Sequence, residues 1–208
     1  MAHPYHVLNL TLLPLLRGRI RRIEGREHLP SEGGFIVVAN HQSWIDSGIL
    51  GGALYRSIKK SLRFIAQTGK YHWLGGIPIA EYERRRVLEV ALGYLRAGHP
   101  AVIFPEGNSN AEPSLRQGKT GAARLALMSG LPVVPVGIIG TEGVSFSASW
   151  RWFWSWWRPC QVKFGAPLLF PPHETLPEDR HLLSTVTGQI MTAISQLCGK
   201  PYSQQLEP

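Results

Sequence analysis

Short apolar runs alternate with polar turns along the chain and predict a succession of strands and helices. Runs rich in β-branched and aromatic residues predict strands at 35–39, 62–66, 101–104 and 132–139, and an edge strand at 20–25. Helical spacing of apolar residues predicts helices at 84–97, 120–129 and 178–197, and at 47–57 despite its glycines. We therefore expect an α/β fold, a single domain with a mixed, mostly parallel sheet flanked by helices.

The pattern changes at both ends of the chain. An apolar stretch at 7–16 is followed by a group of arginines: Arg17, Arg19, Arg21, Arg22 and Arg26. This segment fits an interfacial anchor beside anionic headgroups, and it fits equally a core helix with a solvated basic end. We therefore separate an N-terminal segment at 1–30 from the domain at 31–200, and expect a loose tail at 201–208.

Composition and charge narrow the classes of partner. Among the 208 residues 44% are hydrophobic, which is enough for one domain with a sizeable core. The net charge of +8 predicts an acidic partner: an anionic membrane, a phosphorylated ligand or nucleic acid. Nucleic acid is the weaker choice, since the sequence has no helix-turn-helix, zinc-finger or RNA-binding motif. No apolar run is long enough to span a bilayer, and the N-terminus lacks a signal-peptide pattern. The two cysteines, Cys160 and Cys198, predict no disulfide framework and suit a reducing cytoplasm.

A first block of polar residues follows the predicted strand at 35–39, where α/β folds place chemistry. In this block His41 is able to accept a proton near neutral pH, and Asp46 is able to fix its tautomer and stabilise the imidazolium. Residues five apart do not share a helix face, so the two side chains meet only if the chain bends between them. The alternative interpretation makes Asp46 an N-cap of the following helix and His41 a turn residue bonded to the backbone.

A second polar block ends the predicted strand at 101–104, and the two blocks together resemble the glycerophospholipid acyltransferase family. Its Asn-His-x4-Asp motif is matched by Asn40, His41 and Asp46. Its Phe-Pro-Glu-Gly-Thr-Arg-Ser motif is matched in the first four residues by 104–107, and its apolar strand with a central proline by 133–137. The segment at 161–167 is similar to the late strand of the family, which ends in Gly-x-Pro. The resemblance implies an acyltransferase-type fold and O-acyl transfer to a lipid hydroxyl.

The chain departs from the family where the family places its phosphate-binding arginines. Glu81 replaces one of them, and Asn108 and Ser109 stand where Thr-Arg is expected. Residues that are able to replace these arginines are Arg84, in the basic run 84–86, Arg116 and Lys119. A basic run such as 84–86 is more often a solvated helix start.

The resemblance implies a general-base mechanism. His41 takes the proton of the acceptor hydroxyl and Asp46 orients the imidazole. Backbone N–H groups near Gly107 are candidate donors to the oxyanion, and Glu106 positions either the acceptor's hydroxyls or the backbone. The scheme needs no metal and no cofactor besides the co-substrate, which is acyl-coenzyme A or acyl-carrier protein.

The segment 149–158 concentrates most of the chain's tryptophans between arginines. Aromatic rings beside basic residues are typical of a membrane interface, which we expect for Trp150, Trp152, Trp154, Trp156 and Trp157. The alternation of these residues also fits one face of a strand in the core, and base stacking with nucleic acid is a third interpretation.

The resemblance implies an acyltransferase that converts 1-acylglycerol 3-phosphate to phosphatidic acid, and we expect it to be peripheral on the cytoplasmic face of the inner membrane. Another lysolipid or lipid hydroxyl acceptor is the alternative, because of the missing arginines. A non-catalytic lipid-binding protein is the alternative of another class. A serine hydrolase is disfavoured by the absence of a Gly-x-Ser-x-Gly elbow, and a metal hydrolase by the scattered histidines.

Overall fold

The computed structural model describes residues 12–54, 57–58, 61–66, 76–78, 84–144, 147, 149–155, 160–173 and 177–203. The strands are β1 (Ile20–Glu24), β2 (Ile36–Ala39), β3 (Arg63–Ala66), β4 (Gly76–Pro78), β5 (Ala101–Ile103), β6 (Val133–Ile139) and β7 (Cys160–Phe164). The helices are α1 (Leu12–Arg19), α2 (Asp46–Leu54), α3 (Arg84–Arg96), α4 (Gly121–Ser129), α5 (Ser149–Trp154) and α6 (Arg180–Cys198), and Arg26–His28 form a 3₁₀ turn.

The strands form one mixed, mostly parallel sheet, as the sequence predicts. Its order is β1-β7-β6-β2-β5-β3-β4. The five strands from β6 to β4 pair in parallel, whereas β7 is antiparallel to β6 and β1 is parallel to β7. The carboxyl ends of the five parallel strands therefore share one edge, here called the carboxyl edge, where α/β folds place their sites.

Alternate residues of each strand face opposite sides of the sheet and form two cores. On β2, Ile36 and Val38 pack with α3, α4 and α6, whereas Val37 and Ala39 pack with α1, α2 and α5. Both faces of the central strands are buried, which explains their unbroken apolar runs. The helices cover the sheet on both sides.

The N-terminal segment is part of the same folded unit. Its helix α1 packs on α2 through close approach at glycines, since an added Cβ at Gly48 or Gly51 would meet Leu16 or Leu13 at 2.9 Å. Strand β1 then extends the sheet. The division at residue 30 is therefore wrong, because 12–30 supply a helix and an edge strand of the domain.

Most of the N-terminal arginines bind protein groups and do not lie free beside α1. Arg17 donates to the carbonyl of Ile20 at 3.3 Å, and Arg26 donates to the carbonyl of Ala53 at 2.7 Å. Arg22 forms an ion pair with Glu24. Because Leu13 and Leu16 are buried while Leu15 is exposed, the core-helix interpretation describes most of α1.

Candidate active site

The site begins with an asparagine that holds the ends of two strands together. Asn40, which follows β2, donates from Nδ2 to the carbonyl of Ile138 at 2.9 Å, and the N–H of Ile138 donates to Asn40 Oδ1 at 2.7 Å. The buried side chain thus imitates a strand partner for β6. This pairing fixes the next residue, His41, at the carboxyl edge.

His41 and Asp46 meet because the chain turns from strand to helix between them. The distance from His41 Nδ1 to Asp46 Oδ2 is 2.9 Å. The same oxygen accepts the backbone N–H groups of Gln42 at 2.6 Å and Ser43 at 2.8 Å. Asp46 is the first residue of α2, and its carboxylate faces back to the junction. The contacts thus support the paired interpretation over that of a simple helix N-cap.

The surroundings of Asp46 determine which nitrogen of His41 is free to act. Asp46 is fully buried, and its Oδ1 accepts a further hydrogen bond from Thr141 Oγ1 at 2.7 Å. Four donors around one carboxylate match an ionised group, which only accepts hydrogen bonds. The proton shared with Asp46 therefore lies on Nδ1 of His41, and in the neutral imidazole this tautomer leaves the lone pair on Nε2. The imidazole stacks on Phe104 with ring centres 4.2 Å apart, and its side chain is 18% exposed.

Glu106 connects the second polar block to the first. Its Oε1 accepts the backbone N–H of His41 at 3.0 Å. Its Oε2 accepts Asn110 Nδ2 at 2.7 Å and the backbone N–H of Arg116 at 3.1 Å. The side chain is buried with both oxygens engaged by protein. Of the two roles predicted for Glu106, the contacts favour positioning of the backbone over binding of the acceptor's hydroxyls.

Gly107 forms a turn beneath a lysine. Its φ of 79° lies in the left-handed region, and an added Cβ would lie 2.5 Å from Lys119 Nζ. The N–H of Gly107 donates to the carbonyl of Phe104 at 3.0 Å. The turn thus uses the N–H of Gly107, and an oxyanion donor among the N–H groups near Gly107 stays a prediction. Lys119, in contrast, is brought directly to the second polar block.

The other predicted acceptor residues lie around the same edge. Asn108 and Ser109 are exposed after the Gly107 turn, and the side chain of Arg116 is also exposed. Arg84 is the first residue of α3, but its side chain, like Glu81, lies outside what the structure describes.

The tryptophan segment is divided between core and surface. Trp152, in α5, is 2% exposed and donates from Nε1 to the carbonyl of Gly140 at 3.0 Å. The guanidinium of Arg19 lies 4.5 Å from the centre of its ring. Membrane contact is therefore wrong for Trp152, because its ring is enclosed by protein. Trp154 is 52% exposed, and its contact with a membrane stays a prediction.

The other three tryptophans of the segment 149–158 are Trp150, Trp156 and Trp157. The side chain of Trp150 and all of Trp156 and Trp157 lie outside the described residues. The helical bounds of α5 exclude the strand interpretation for 149–154.

Arg19 is the member of the N-terminal group that contacts this segment. It is buried and donates to the carbonyls of Trp152 at 3.1 Å and Ser155 at 2.6 Å. A cation is well placed to bind the carbonyls at the end of a helix. Arg19 therefore joins α1 to α5 and is not available to a lipid headgroup.

Three residues of the site were not among the predicted site residues: Gln42, Asn110 and Thr141. All three are buried polar side chains close to the dyad or to Glu106. Gln42 and Asn110 belong to the two polar blocks, so their position was a signal for them. Thr141 also follows an apolar strand, two residues after the end of β6. This position was the only indication in the sequence that Thr141 belongs to the site.

The described residues contain neither a cluster of metal ligands nor a membrane-spanning helix. Within them, no group of three or more histidine, cysteine, aspartate or glutamate side chains is arranged to hold a metal ion. In the same ranges, no helix has the length and apolarity to cross a membrane.

Comparison with known proteins identifies the family. A family model described as Acyltransferase matches residues 20–139. The chain is 29% identical to 1-acyl-sn-glycerol-3-phosphate acyltransferase alpha from Homo sapiens over 205 residues, covering 89% of this chain and 71% of that protein. It is 33% identical to a chloroplastic 1-acyl-sn-glycerol-3-phosphate acyltransferase from Arabidopsis thaliana over 132 residues, 57% of this chain and 36% of that protein. Its fold is similar to the crystal structure of the 1-acyl-sn-glycerophosphate acyltransferase PlsC from Thermotoga maritima, with a TM-score of 0.60, 21% identity and coverage of 92% and 82% of the two chains. With the histidine–aspartate pair at the carboxyl edge, this match shows that the chain belongs to the acyltransferase family.

Proposed function

We propose that this acyltransferase moves a fatty acyl group from an acyl thioester to the hydroxyl of 1-acylglycerol 3-phosphate and forms phosphatidic acid for phospholipid synthesis. The observation that carries the proposal is the 2.9 Å contact between His41 Nδ1 and Asp46. It leaves Nε2 of a partly exposed imidazole as a base at the edge of the sheet. The names of the relatives supply the acceptor.

The dyad carries the proton of the acceptor during transfer. The hydroxyl oxygen attacks the thioester carbonyl as its proton passes to His41 Nε2, and the new C–O bond gives a tetrahedral oxyanion. Asp46 stabilises the imidazolium through Nδ1–H. Collapse of the oxyanion breaks the C–S bond, and the thiolate leaves and takes the proton from Nε2. No acyl-enzyme is required.

Two cations support a phosphate-bearing acceptor. Lys119 Nζ lies over the turn at Gly107. This turn follows the end of β5. Arg116 has its backbone N–H bound to Glu106 and its side chain exposed. An ammonium beside the Gly107 turn and an exposed guanidinium in the loop that Glu106 holds are suited to the charge of a phosphomonoester.

A second acceptor class is favoured by one observation at the same turn. Asn108 and Ser109 are exposed and uncharged at the positions where the resemblance expects the arginine. A lysolipid with a larger headgroup, or another lipid hydroxyl, needs fewer charge contacts at this point.

The donor and the place of action are part of the proposal. Acyl-coenzyme A and acyl-carrier protein are both acidic, and the net charge of +8 suits either of them. The same charge suits an anionic leaflet, so we place the enzyme peripherally on the cytoplasmic face of the inner membrane. Exposed Trp154 is suited to headgroup depth.

Thiol release from acyl-coenzyme A tests the proposal, with wild type, His41→Ala and the control His181→Ala, an exposed histidine of α6. The acceptors are 1-acylglycerol 3-phosphate, lysophospholipids with larger headgroups and glycerol 3-phosphate, and acyl-carrier protein is tested as a second donor. We expect release with the first acceptor, lost in His41→Ala by a factor of about 10² or more and kept in the control. Release with another acceptor alone would move the function to the second class. Activity that survives in His41→Ala would remove the proposed base.

A further inference from the structure

A threonine from a third region of the chain reaches the dyad. Thr141 follows β6 and is fully buried. Its Oγ1 lies 2.7 Å from Oδ1 of Asp46 and 3.2 Å from Oε1 of Gln42. A hydroxyl has one proton, and the shorter contact with a carboxylate directs that proton to Asp46.

The donors around Asp46 are divided unevenly between its two oxygens. Oδ2 accepts from His41, Gln42 and Ser43, which all belong to the strand-to-helix junction. Oδ1 accepts from Thr141, which follows β6, the strand that pairs with β2. Hydrogen bonds to both oxygens fix the plane of the carboxylate, and that plane aims Oδ2 at Nδ1 of His41.

The turn that carries Thr141 is itself held in place. Asn40 binds both backbone groups of Ile138, so the end of β6 is registered to the residue before His41. Gly140, with φ of 88°, offers its carbonyl to the indole of Trp152. The N–H of Val144 donates to the carbonyl of Thr141 at 3.3 Å. The hydroxyl is thus presented from a backbone with little freedom to move.

We propose that Thr141 is a positioning residue for acyl transfer, which acts through Asp46 to hold the imidazole of His41 ready to take a proton. This inference rests on the proposed function for its kinetic consequence, whereas its structural consequence at His41 stands independently. Thr141 is fully buried and acts through Asp46 rather than on the substrate itself. Its contribution is therefore to kcat, because the imidazolium forms only as the acceptor hydroxyl reacts.

The test compares Thr141→Val, which keeps the shape and removes the donor, with Thr141→Ser, which keeps the donor. Thr187→Val is the matched control, since Thr187 is a buried threonine of α6 whose Oγ1 has no hydrogen-bond partner in the described structure. Loss of a charge-assisted hydrogen bond predicts a fall in kcat of about tenfold or more in Thr141→Val, with KM little changed. We expect Thr141→Ser to restore most of kcat and the control to resemble wild type. Should Thr141→Val not fold, Thr141→Ala removes the same donor with a smaller side chain.

Imidazole ¹H–¹⁵N spectra of the same proteins give a readout that does not depend on turnover. We expect His41 to carry its proton on Nδ1 in wild type and Thr141→Ser, and to lose that single tautomer or exchange the proton faster in Thr141→Val. Unchanged kcat and unchanged His41 signals in Thr141→Val would overturn the inference, as would equal losses in Thr187→Val. If wild type transfers no acyl group but the His41 signals change as expected, the proposed function fails and the positioning role stands.

Discussion

The backbone N–H of His41 donates to Oε1 of Glu106 at 3.0 Å, although 65 residues separate the two in sequence. This bond joins the two polar blocks that follow β2 and β5, which are adjacent and parallel. The other oxygen of Glu106 holds Asn110 and the backbone of Arg116. One buried carboxylate thus fixes the histidine and the loop at 110–116 relative to each other.

The first prediction concerns this carboxylate. Glu106→Gln replaces one accepting oxygen by an NH₂ group, which faces N–H donors in a buried place. We expect a loss of about 2 kcal/mol or more in the free energy of unfolding, measured with urea, and a lower kcat. Glu112→Gln is the control, because Glu112 is exposed in the same loop, and it should stay within about 0.5 kcal/mol of wild type. Equal stability of the two variants would show that the three hydrogen bonds contribute little.

The central part of the fold was predictable because its strands are buried on both faces. Four residues in a row of β2 are buried, so the run 35–39 could be recognised without any periodicity. The polar residues after each run then predicted the site, since parallel strands end at one edge. Even so, helix α6 begins at Arg180, two residues later than predicted, because Asp179 caps it by accepting from the N–H groups of His181 and Leu182.

The sequence did not predict the long-range contacts that buried polar side chains make with distant parts of the chain. Arg19 appeared as one of several surface arginines, yet it lies over Trp152, 133 residues away. The sequence placed Trp152 at a membrane and left Arg19 either beside headgroups or on a solvated helix end, because tryptophan beside arginine has the same pattern in a core and at a membrane. Their burial depends on how α5 packs against α1, which no local pattern reports.

The second prediction separates the two tryptophans of α5 whose side chains the structure describes. Trp152→Ala removes a buried ring and its bond to Gly140, so we expect a loss of about 3–5 kcal/mol in the free energy of unfolding. Trp154→Ala should change stability little and weaken co-sedimentation with anionic phosphatidylglycerol vesicles severalfold. Vesicle binding that is equal in wild type and Trp154→Ala would exclude Trp154 from membrane contact.

The third prediction follows from the buried thiol of Cys160. Burial raises its pKa from the ordinary value of 9.0 to about 12. Between these values the unfolded chain releases a proton that the folded chain keeps, so rising pH favours unfolding by up to about 1.4 kcal/mol per pH unit. The free energy of unfolding, measured with urea, should therefore fall by about 1–2 kcal/mol more in wild type than in Cys160→Ala between pH 8 and 10.5. Parallel pH dependences in the two proteins would contradict the raised pKa.

The fourth prediction concerns the C-terminal residues, which the sequence assigned to a loose tail. That assignment is wrong for 201–203, because the carbonyl of Pro201 accepts the N–H of Leu115, and Tyr202 and Ser203 bind the side chain of Gln117. These bonds hold the loop that carries Arg116 and precedes Lys119. A chain ending at residue 200 should lose about 1–3 kcal/mol in the free energy of unfolding. It should also show a higher KM for the acceptor. A chain ending at residue 203 keeps all three bonds and serves as the control. Steady-state kinetics with the same acyl donor measure the KM for the acceptor in both truncated chains. An equal KM in the two truncated chains would show that the acceptor loop keeps its position without this support.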